Sequence, residues 1–239
     1  MTTVQSNTAL TTPSLLALTT RIRRAVTKET LSSLTDDPVN NTIVDAINDS
    51  VADIYYRNRW NWAKTLGNIQ LQSATSEYPL PANFFRMATE PAVYNATLIE
   101  VSPEEWERNT YTPSWNSNAA IAGQPNIYML DRALIKFWPT PSDSFIAAYP
   151  TIPIIYYRKP PARLVLATDS ANSPDVPPEF IEILSAYGVF RLKLFLHYDD
   201  APVEMDRYEK LLLNRIQTDL ISVHPSRLRP RNFRSANFG

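Results

Sequence analysis

The side chains best suited to binding chemistry stand in the last sixteen residues, which carry four arginines and no acidic residue. The charged and aromatic members of this segment are Arg227, Arg229, Arg231, Arg234, Phe233 and Phe238. Guanidinium groups pair with carboxylates and phosphates, and isolated phenylalanines bury in the pockets of a partner. Pro225 and Pro230 disfavour a helix, and no apolar period supports a strand. We interpret the segment as a docking arm that orders on a partner; the alternative is a merely solvating tail.

Residue patterns for catalysis are much weaker. The two histidines, His197 and His224, have no nucleophile paired with them in the sequence. His197 falls near the predicted end of a helix, where an imidazole is most simply a C-terminal charge. The sequence has no HExxH motif and no P-loop, and its four glycines are scattered. We therefore assign no catalytic residue, no metal and no cofactor, and we predict that the protein is not an enzyme.

The five tryptophans leave one further binding chemistry open, because indole rings can stack on sugars. Aromatic residues at the ends of helices and strands are more often part of the core. A glycan-binding or glycan-cleaving protein is therefore an alternative that the sequence does not favour. The tryptophans are Trp60, Trp62, Trp106, Trp115 and Trp138.

Charge is divided unevenly along the chain. The formal net charge is −1, and subtracting the four positive charges of the arm leaves about −5 for the remainder. A protein that coats nucleic acid would spread its positive charge over one face of the fold, so this division argues against that class. There are no cysteines, and no apolar run is long enough to span a membrane. The N-terminus lacks the features of a signal peptide, so we expect the protein to remain where it is made.

The elements that must position these residues are helical at both ends and β-rich in the middle. One helix is predicted to begin at Pro13, and a second is capped by Asp37 with Pro38 in its first turn. Two more helices follow the proline cluster near residue 177, and they should be antiparallel neighbours. Their predicted inward faces are Phe180, Ile183, Tyr187, Phe190, Leu194 and Tyr198, and then Met205, Tyr208, Leu212, Ile216 and Leu220.

The middle of the chain alternates short apolar runs with proline-marked turns. NIYML and ALIKFW, joined at Asp131-Arg132, predict a hairpin, and further strands are predicted at Thr97–Val101 and Ile152–Arg158. Ser102 and Glu105 form the capping box of one short helix. Residues 109–124 have no period and predict a long exposed loop. We consider Trp115 in that loop, and Asp131 and Arg132 at the hairpin tip, as candidate contact residues for a partner protein.

These elements predict an α+β fold in which the two ends of the chain form a four-helix bundle, and an antiparallel β-rich domain is inserted between its second and third helices. The proposed boundaries are 1–65 and 175–222 for the two halves of the bundle, 66–174 for the β-rich domain, and 223–239 for the extended basic arm. Twenty prolines against four glycines favour rigid domains.

The order of several short motifs resembles the adaptor, or head-to-tail connector, family of tailed bacteriophages, including the tail tubular proteins A. The motifs begin with Ile47-Asn48-Asp49 and Trp60-Asn61-Trp62 in and after the second helix. The remaining motifs are YPLPANFFRM at 78–87, GQPNIYMLDRALIKFWPTPSD at 123–143, IIYYRKPP at 154–161 and PDVPPEF at 174–180. Their order and spacing carry the resemblance, since each motif alone is weakly specific.

The resemblance implies a structural virion protein at the head–tail interface, assembled in the host cytoplasm. Such proteins form a homo-oligomeric ring, usually of twelve copies, between the portal protein and a tail or nozzle protein. Genomic DNA passes through the ring without sequence recognition, and no membrane is involved. The resemblance also implies that the C-terminal arm binds the portal, and it makes Trp115, Asp131 and Arg132 candidates for contacts with neighbouring subunits or with the tail. The alternative from the residues themselves is a nucleic-acid-binding module that uses the basic tail to contact phosphates.

Overall fold

The computed structural model describes residues 12–93, 96–110 and 122–223. The helices are α1 (Leu15–Thr27), α2 (Pro38–Arg57), α3 (Pro103–Thr110), α4 (Asp143–Ala148), α5 (Ile181–Phe195) and α6 (Ala201–Val223). The strands are β1 (Lys64–Gln70), β2 (Glu77–Pro79), β3 (Phe84–Thr89), β4 (Ala92–Val93), β5 (Ala96–Thr97), β6 (Ile99–Glu100), β7 (Ala122–Gly123), β8 (Ile127–Asp131), β9 (Leu134–Trp138), β10 (Thr140–Pro141) and β11 (Thr151–Arg158). The predicted α+β class is confirmed.

The chain divides into two compact units. One unit takes in the chain up to Trp62 and again from Pro160, and it contains α1, α2, α5 and α6. The other unit, Ala63–Lys159, contains all the strands of the described residues, together with α3 and α4. The predicted arm at 223–239 and the loop around Trp115 lie outside the described residues, apart from Val223 at the end of α6.

The helical unit is built around α5, which contacts α1, α2 and α6. The predicted cap of α2 is confirmed, since the Asp37 carboxylate accepts the backbone N–H of Asn40 at 2.8 Å. Gly188 lets α1 approach α5 closely, because a Cβ atom at this position would lie only 2.4 Å from Cδ1 of Ile22. The side chain of Ile22 is fully buried. Burial of the facing stripes of these helices supplies the core of this unit.

The predicted inward faces of the last two helices are partly wrong. Leu194 and Tyr198 are about half exposed, and so is Leu220 in α6. Helix α5 ends at Phe195, so Tyr198 no longer follows the helical period. The side chains that are buried in α5 belong to Ile183, Leu184, Ala186, Gly188, Val189 and Leu192.

Residues 160–175 belong to the helical unit, whereas the boundary expected from the sequence placed 160–174 in the β-rich domain. Asn48 of α2 holds this stretch with its side-chain amide: its Oδ1 accepts the N–H of Leu164 at 2.9 Å, and its Nδ2 donates to the Leu164 carbonyl at 3.0 Å. The Tyr55 hydroxyl donates to the carbonyl of Asp175 at 3.0 Å. These polar anchors give no apolar period, which is why the sequence did not indicate where the segment packs.

The β-rich unit contains two larger sheets, with strand orders β1-β11-β3 and β2-β9-β8-β6. The predicted hairpin is confirmed as β8 and β9, with Asp131 opposite Leu134. The strand predicted at 97–101 is divided into β5 and β6, because the buried Leu98 between them donates its N–H to the carbonyl of Pro91. The core of this unit includes Tyr128 and Phe137, both fully buried.

Candidate functional site

Asp131 and Arg132 were singled out at the tip of the β8–β9 hairpin, and of the two Arg132 is the more exposed. The carboxylate of Asp131 lies 3.0 Å from the ammonium of Lys136, which also contacts Glu77 at 3.0 Å. Hydrogen bonds to Glu77 and Asp131 raise the pKa of Lys136. Arg132 is exposed and has a φ of 54°, in the left-handed region that non-glycine residues seldom adopt. Asp131 therefore stabilises the hairpin, while Arg132 is the side chain presented at its tip.

A second surface, which the sequence did not indicate, lies on the β1-β11-β3 sheet. Leu66 of β1 is paired directly with Ile155 of β11, and these side chains are 66% and 40% exposed. Two residues away along the same face, Lys64 is paired with Tyr157, and Tyr157 is paired with Arg86 of β3. We call these five residues the basic face.

The basic face is organised around the ring of Tyr157, which is 8% exposed. The ammonium of Lys64 lies 5.8 Å from the centroid of this ring, and the guanidinium carbon of Arg86 lies 5.5 Å from it. Cations at this distance over an aromatic ring are attracted by its quadrupole. The three strands thus hold two positive charges beside one exposed aliphatic pair.

Local chain geometry explains why Leu66 faces outward. Side chains alternate along a strand, and Lys64, Leu66, Asn68 and Gln70 are all exposed while Ile69 is buried. Gly67 faces the interior, where a Cβ atom would lie 3.0 Å from the ring of Tyr156. The buried Ile69 and the tight fit at Gly67 fix the register, so Leu66 must lie on the other side.

A third group of exposed residues, mainly acidic, belongs to the edge strand β6 of the other large sheet and to the helix that follows it. Ile99 of β6 is 62% exposed and is followed by α3, whose Glu104 and Glu107 are also exposed. We call these three residues the acidic edge. The fully buried Tyr128 donates its hydroxyl to Glu100 at 3.0 Å, which ties β6 to β8. Burial, together with the Glu100 carboxylate, raises the pKa of Tyr128.

Helix α3 is fixed at its start by the predicted capping box, which is confirmed. The Ser102 hydroxyl accepts the N–H of Glu105 at 3.2 Å, and the Glu105 carboxylate accepts the N–H of Ser102 at 3.1 Å. The reciprocal bonds satisfy two backbone donors at the helix N-terminus. Glu105 is therefore used within the helix, while Glu104 and Glu107 remain on its exposed surface.

The helical unit carries exposed apolar side chains at the end of α5, namely Leu194, Phe195 and Tyr198. His197 adopts a φ of 58°, its N–H bonds to the carbonyl of Leu194, and the N–H of Tyr198 bonds to the carbonyl of Lys193. This pair of bonds is the Schellman motif, in which glycine usually takes the position of His197. His197 is therefore a structural residue at a helix end.

No catalytic arrangement emerges from the part of the chain that the structure describes. Within residues 12–93, 96–110 and 122–223, there is no group of three or more His, Cys, Asp or Glu side chains placed to hold a metal ion. A small cavity of about 110 Å³ lies beside Asn48 and is lined mainly by apolar and proline residues. No described helix is both long and apolar enough to cross a bilayer.

The candidate site residues of the arm, Arg227, Arg229, Arg231, Phe233, Arg234 and Phe238, lie outside the described residues, as does Trp115. Asp131 and Arg132 are adjacent at one hairpin tip, as the sequence predicted. The basic face was missed because its members come from three strands far apart in sequence. Its only sequence signal is the separation of Leu66 from Ile69, which in a strand places one of them on each face.

Two compact units with exposed charged and apolar surfaces are typical of a protein that assembles with others. Comparison with protein families identifies the class as the head–tail adaptors of tailed bacteriophages. The chain belongs to the SU10 adaptor protein family, whose sequence model matches residues 13–232. A comparison with curated proteins gives no significant match. The resemblance found in the sequence is therefore confirmed: the protein is a structural phage component that works between head and tail.

Proposed function

We propose that this protein assembles as a homo-oligomeric ring, of twelve copies, that joins the portal at the capsid vertex to the tail. The ring lines or extends the DNA channel, and its tail-side partner is a tail or nozzle protein. The observation that carries the proposal is the family match over residues 13–232, which spans both compact units. A four-helix bundle of α1, α2, α5 and α6 is the rigid body of each subunit.

The portal-binding element is the arm, with the arginines 227, 229, 231 and 234 and the phenylalanines Phe233 and Phe238. One such arm offers few contacts and binds weakly alone. In a ring, the first bound arm brings the others to a high effective concentration, so that many weak contacts act together. The charges orient the arm, and the two phenylalanines anchor it in apolar pockets of the portal.

The charge of the rest of the protein suits a DNA conduit. Outside the arm the net charge is about −5, by subtraction from the whole-chain value of −1. A mildly negative wall does not attract phosphates, so DNA slides past without being retained. Passage therefore needs no sequence recognition, and the role as a whole requires no catalysis.

The test is capture of the full-length protein by purified portal particles, followed by native mass measurement of the complex. Removal of residues 224–239 is expected to abolish capture, and Arg231→Glu with Arg234→Glu to weaken it strongly. The matched control, Arg21→Glu with Arg24→Glu, makes the same change in charge at exposed positions of α1. Undiminished capture of the truncated protein would refute the role of the arm.

The nucleic-acid alternative is tested with the same protein. Four phosphate contacts on duplex DNA give a log–log salt slope of roughly −3.6. Tight, salt-sensitive binding of DNA by the isolated protein, with no capture by the portal, would favour that alternative and contradict the adaptor ring.

A further inference from the structure

The described part of the β-rich unit exposes three large aliphatic side chains: Leu66, Ile99 and Ile155. Two of them, Leu66 and Ile155, are paired across neighbouring strands and form one apolar patch. Ile99 lies on β6, in a different sheet. Exposed apolar side chains grouped beside charges are typical of surfaces that become buried on association.

The charges around these side chains differ in sign. The patch formed by Leu66 and Ile155 is bordered by Lys64 and Arg86, both held at the Tyr157 ring. Ile99 is followed by α3, with Glu104 and Glu107 exposed. The first surface is therefore apolar and positive. The second is apolar with a net negative charge, because the exposed Arg108 offsets only one of the three exposed glutamates of α3. Each has the features that would complement the other.

We propose that the basic face of one copy binds the acidic edge of the next copy, in a head-to-tail contact within the ring. In this contact Ile99 packs between Leu66 and Ile155, while Glu104 and Glu107 face Lys64. Burial of the three aliphatic side chains supplies the affinity, and the charge pairs set the orientation and exclude the reversed arrangement. The inference rests on the proposed ring and names the surfaces that form it.

The rotational symmetry of a ring requires that each copy contact its two neighbours through two different surfaces. A contact between unlike surfaces is repeated around a ring and closes when the rotation is correct, whereas a contact between identical surfaces stops at a dimer. Two basic faces would repel each other, as would two acidic edges. The opposite signs therefore favour successive addition of copies over pairing of like surfaces.

The contact can be tested by cross-linking, because the chain contains no cysteine and introduced thiols are unique. The variants are Leu66→Cys, Ile99→Cys and a control, Ser73→Cys, at an exposed turn of the same unit. Each full-length variant is treated with a short bis-maleimide after assembly on the portal. Mixed Leu66→Cys and Ile99→Cys proteins are expected to give at least about tenfold more cross-linked dimer than mixed Leu66→Cys and Ser73→Cys proteins, because the contact holds the thiols at high effective concentration. A chain carrying both Leu66→Cys and Ile99→Cys should give a ladder of larger products.

Charge reversal gives an independent readout that does not depend on thiols. Lys64→Glu is expected to weaken self-association by about tenfold, because it places a negative charge against the acidic edge. Combining Lys64→Glu with Glu104→Lys on one chain restores opposite charges and should recover association. Arg24→Glu, an exposed charge reversal on α1, is the control and should have little effect.

Native mass measurement separates this inference from the adaptor role itself. A ring of normal mass on the portal, with no Leu66–Ile99 cross-link and no effect of Lys64→Glu, would overturn the contact and leave the adaptor function standing. Loss of both the ring and portal capture in the unmodified protein would overturn both. If Lys64→Glu instead abolished DNA binding without changing association, the basic face would be a phosphate-binding surface and the proposed contact would be wrong.

Discussion

The hydroxyl of Tyr208 in α6 donates a 2.5 Å hydrogen bond to the carboxylate of Asp53 in α2. Tyr208 is fully buried, and Asp53 also contacts Arg57 at 3.0 Å. Burial is the main cause of the raised pKa of the Tyr208 phenol, and the Asp53 carboxylate raises it further. Two segments that lie 155 residues apart in sequence are thus joined by a short, charge-assisted bond.

Replacement of this tyrosine is the first prediction. Tyr208→Phe keeps the ring but removes the donor, and it should lower the free energy of unfolding by about 1.5–3 kcal/mol. Tyr187→Phe is the matched control, because the Tyr187 ring packs against that of Tyr208, with centroids 4.9 Å apart and planes tilted by 55°, yet Tyr187 is less buried. Urea denaturation of both variants measures the difference. Equal effects of the two substitutions would show that the bond to Asp53 adds no stability.

Alkaline pH should destabilise the protein through the same group. In the unfolded chain the Tyr208 phenol ionises as the pH rises above the ordinary pKa of 10.0. In the folded protein its pKa is raised, so the phenol stays protonated at the same pH. The stability is therefore fully present below pH 10.0 and is lost as the pH rises beyond it. Urea midpoints measured at about pH 9 and about pH 11 should fall less for Tyr208→Phe than for the unmodified protein. An equal fall in both would assign the pH dependence to other groups.

The close approach of α1 and α5 gives the third prediction. Gly188→Ala would place a Cβ atom 2.4 Å from Cδ1 of Ile22, and Ile22 has no exposed space into which to move. The strain should outweigh the better helix propensity of alanine and cost about 1–3 kcal/mol. Ile22→Val alone removes the clashing methyl group and costs about 1 kcal/mol. The double variant should therefore be more stable than the sum of the single effects predicts, and thermal unfolding of all three tests this coupling.

The sequence predicted the local signals of the fold well. Asp37 with Pro38, the Ser102–Glu105 capping box, and the turn at Asp131-Arg132 each act through hydrogen bonds or backbone preferences within a few residues. Such interactions can be predicted from residue type and spacing alone. The family motifs extended this local information to the class of protein.

The remaining features depend on contacts between distant segments. The pairing of β1 with β11 places Leu66 opposite Ile155, and nothing in either run of residues indicates its partner. The error at Tyr198 arose because the helical period was continued past the end of α5 and the turn at His197. Leu194 lies within α5, on a side that the contacts of the helix leave exposed. The acidic α3 was predicted as a helix, but the parallel pairing of β6 with β8, which places Ile99 on an edge strand, was not predicted.

His197 provides the fourth prediction. A residue with a side chain loses about 1 kcal/mol in the left-handed region, where glycine does not. His197→Gly should therefore raise the free energy of unfolding by up to about 1 kcal/mol, while His197→Ala should leave it nearly unchanged. Thermal unfolding at neutral pH compares the two variants. Destabilisation by His197→Gly would mean that the imidazole itself makes a stabilising contact.

Residues 160–175 are held on α2 by a buried side-chain amide and by exposed ion pairs, and the two should contribute differently to the free energy of unfolding. Arg163 contacts Asp45 and Asp49 at 3.0 Å each, but the Arg163 side chain is 60% exposed, so Arg163→Ala should cost less than about 1 kcal/mol. Asn48 is 9% exposed, and Asn48→Ala would leave the N–H and carbonyl of Leu164 without their side-chain partner. We expect a loss of about 2 kcal/mol, together with faster proteolysis within 160–175. Urea denaturation and limited proteolysis of both variants test the order, and a larger effect of Arg163→Ala would show that the ion pairs, rather than the amide, fix this segment.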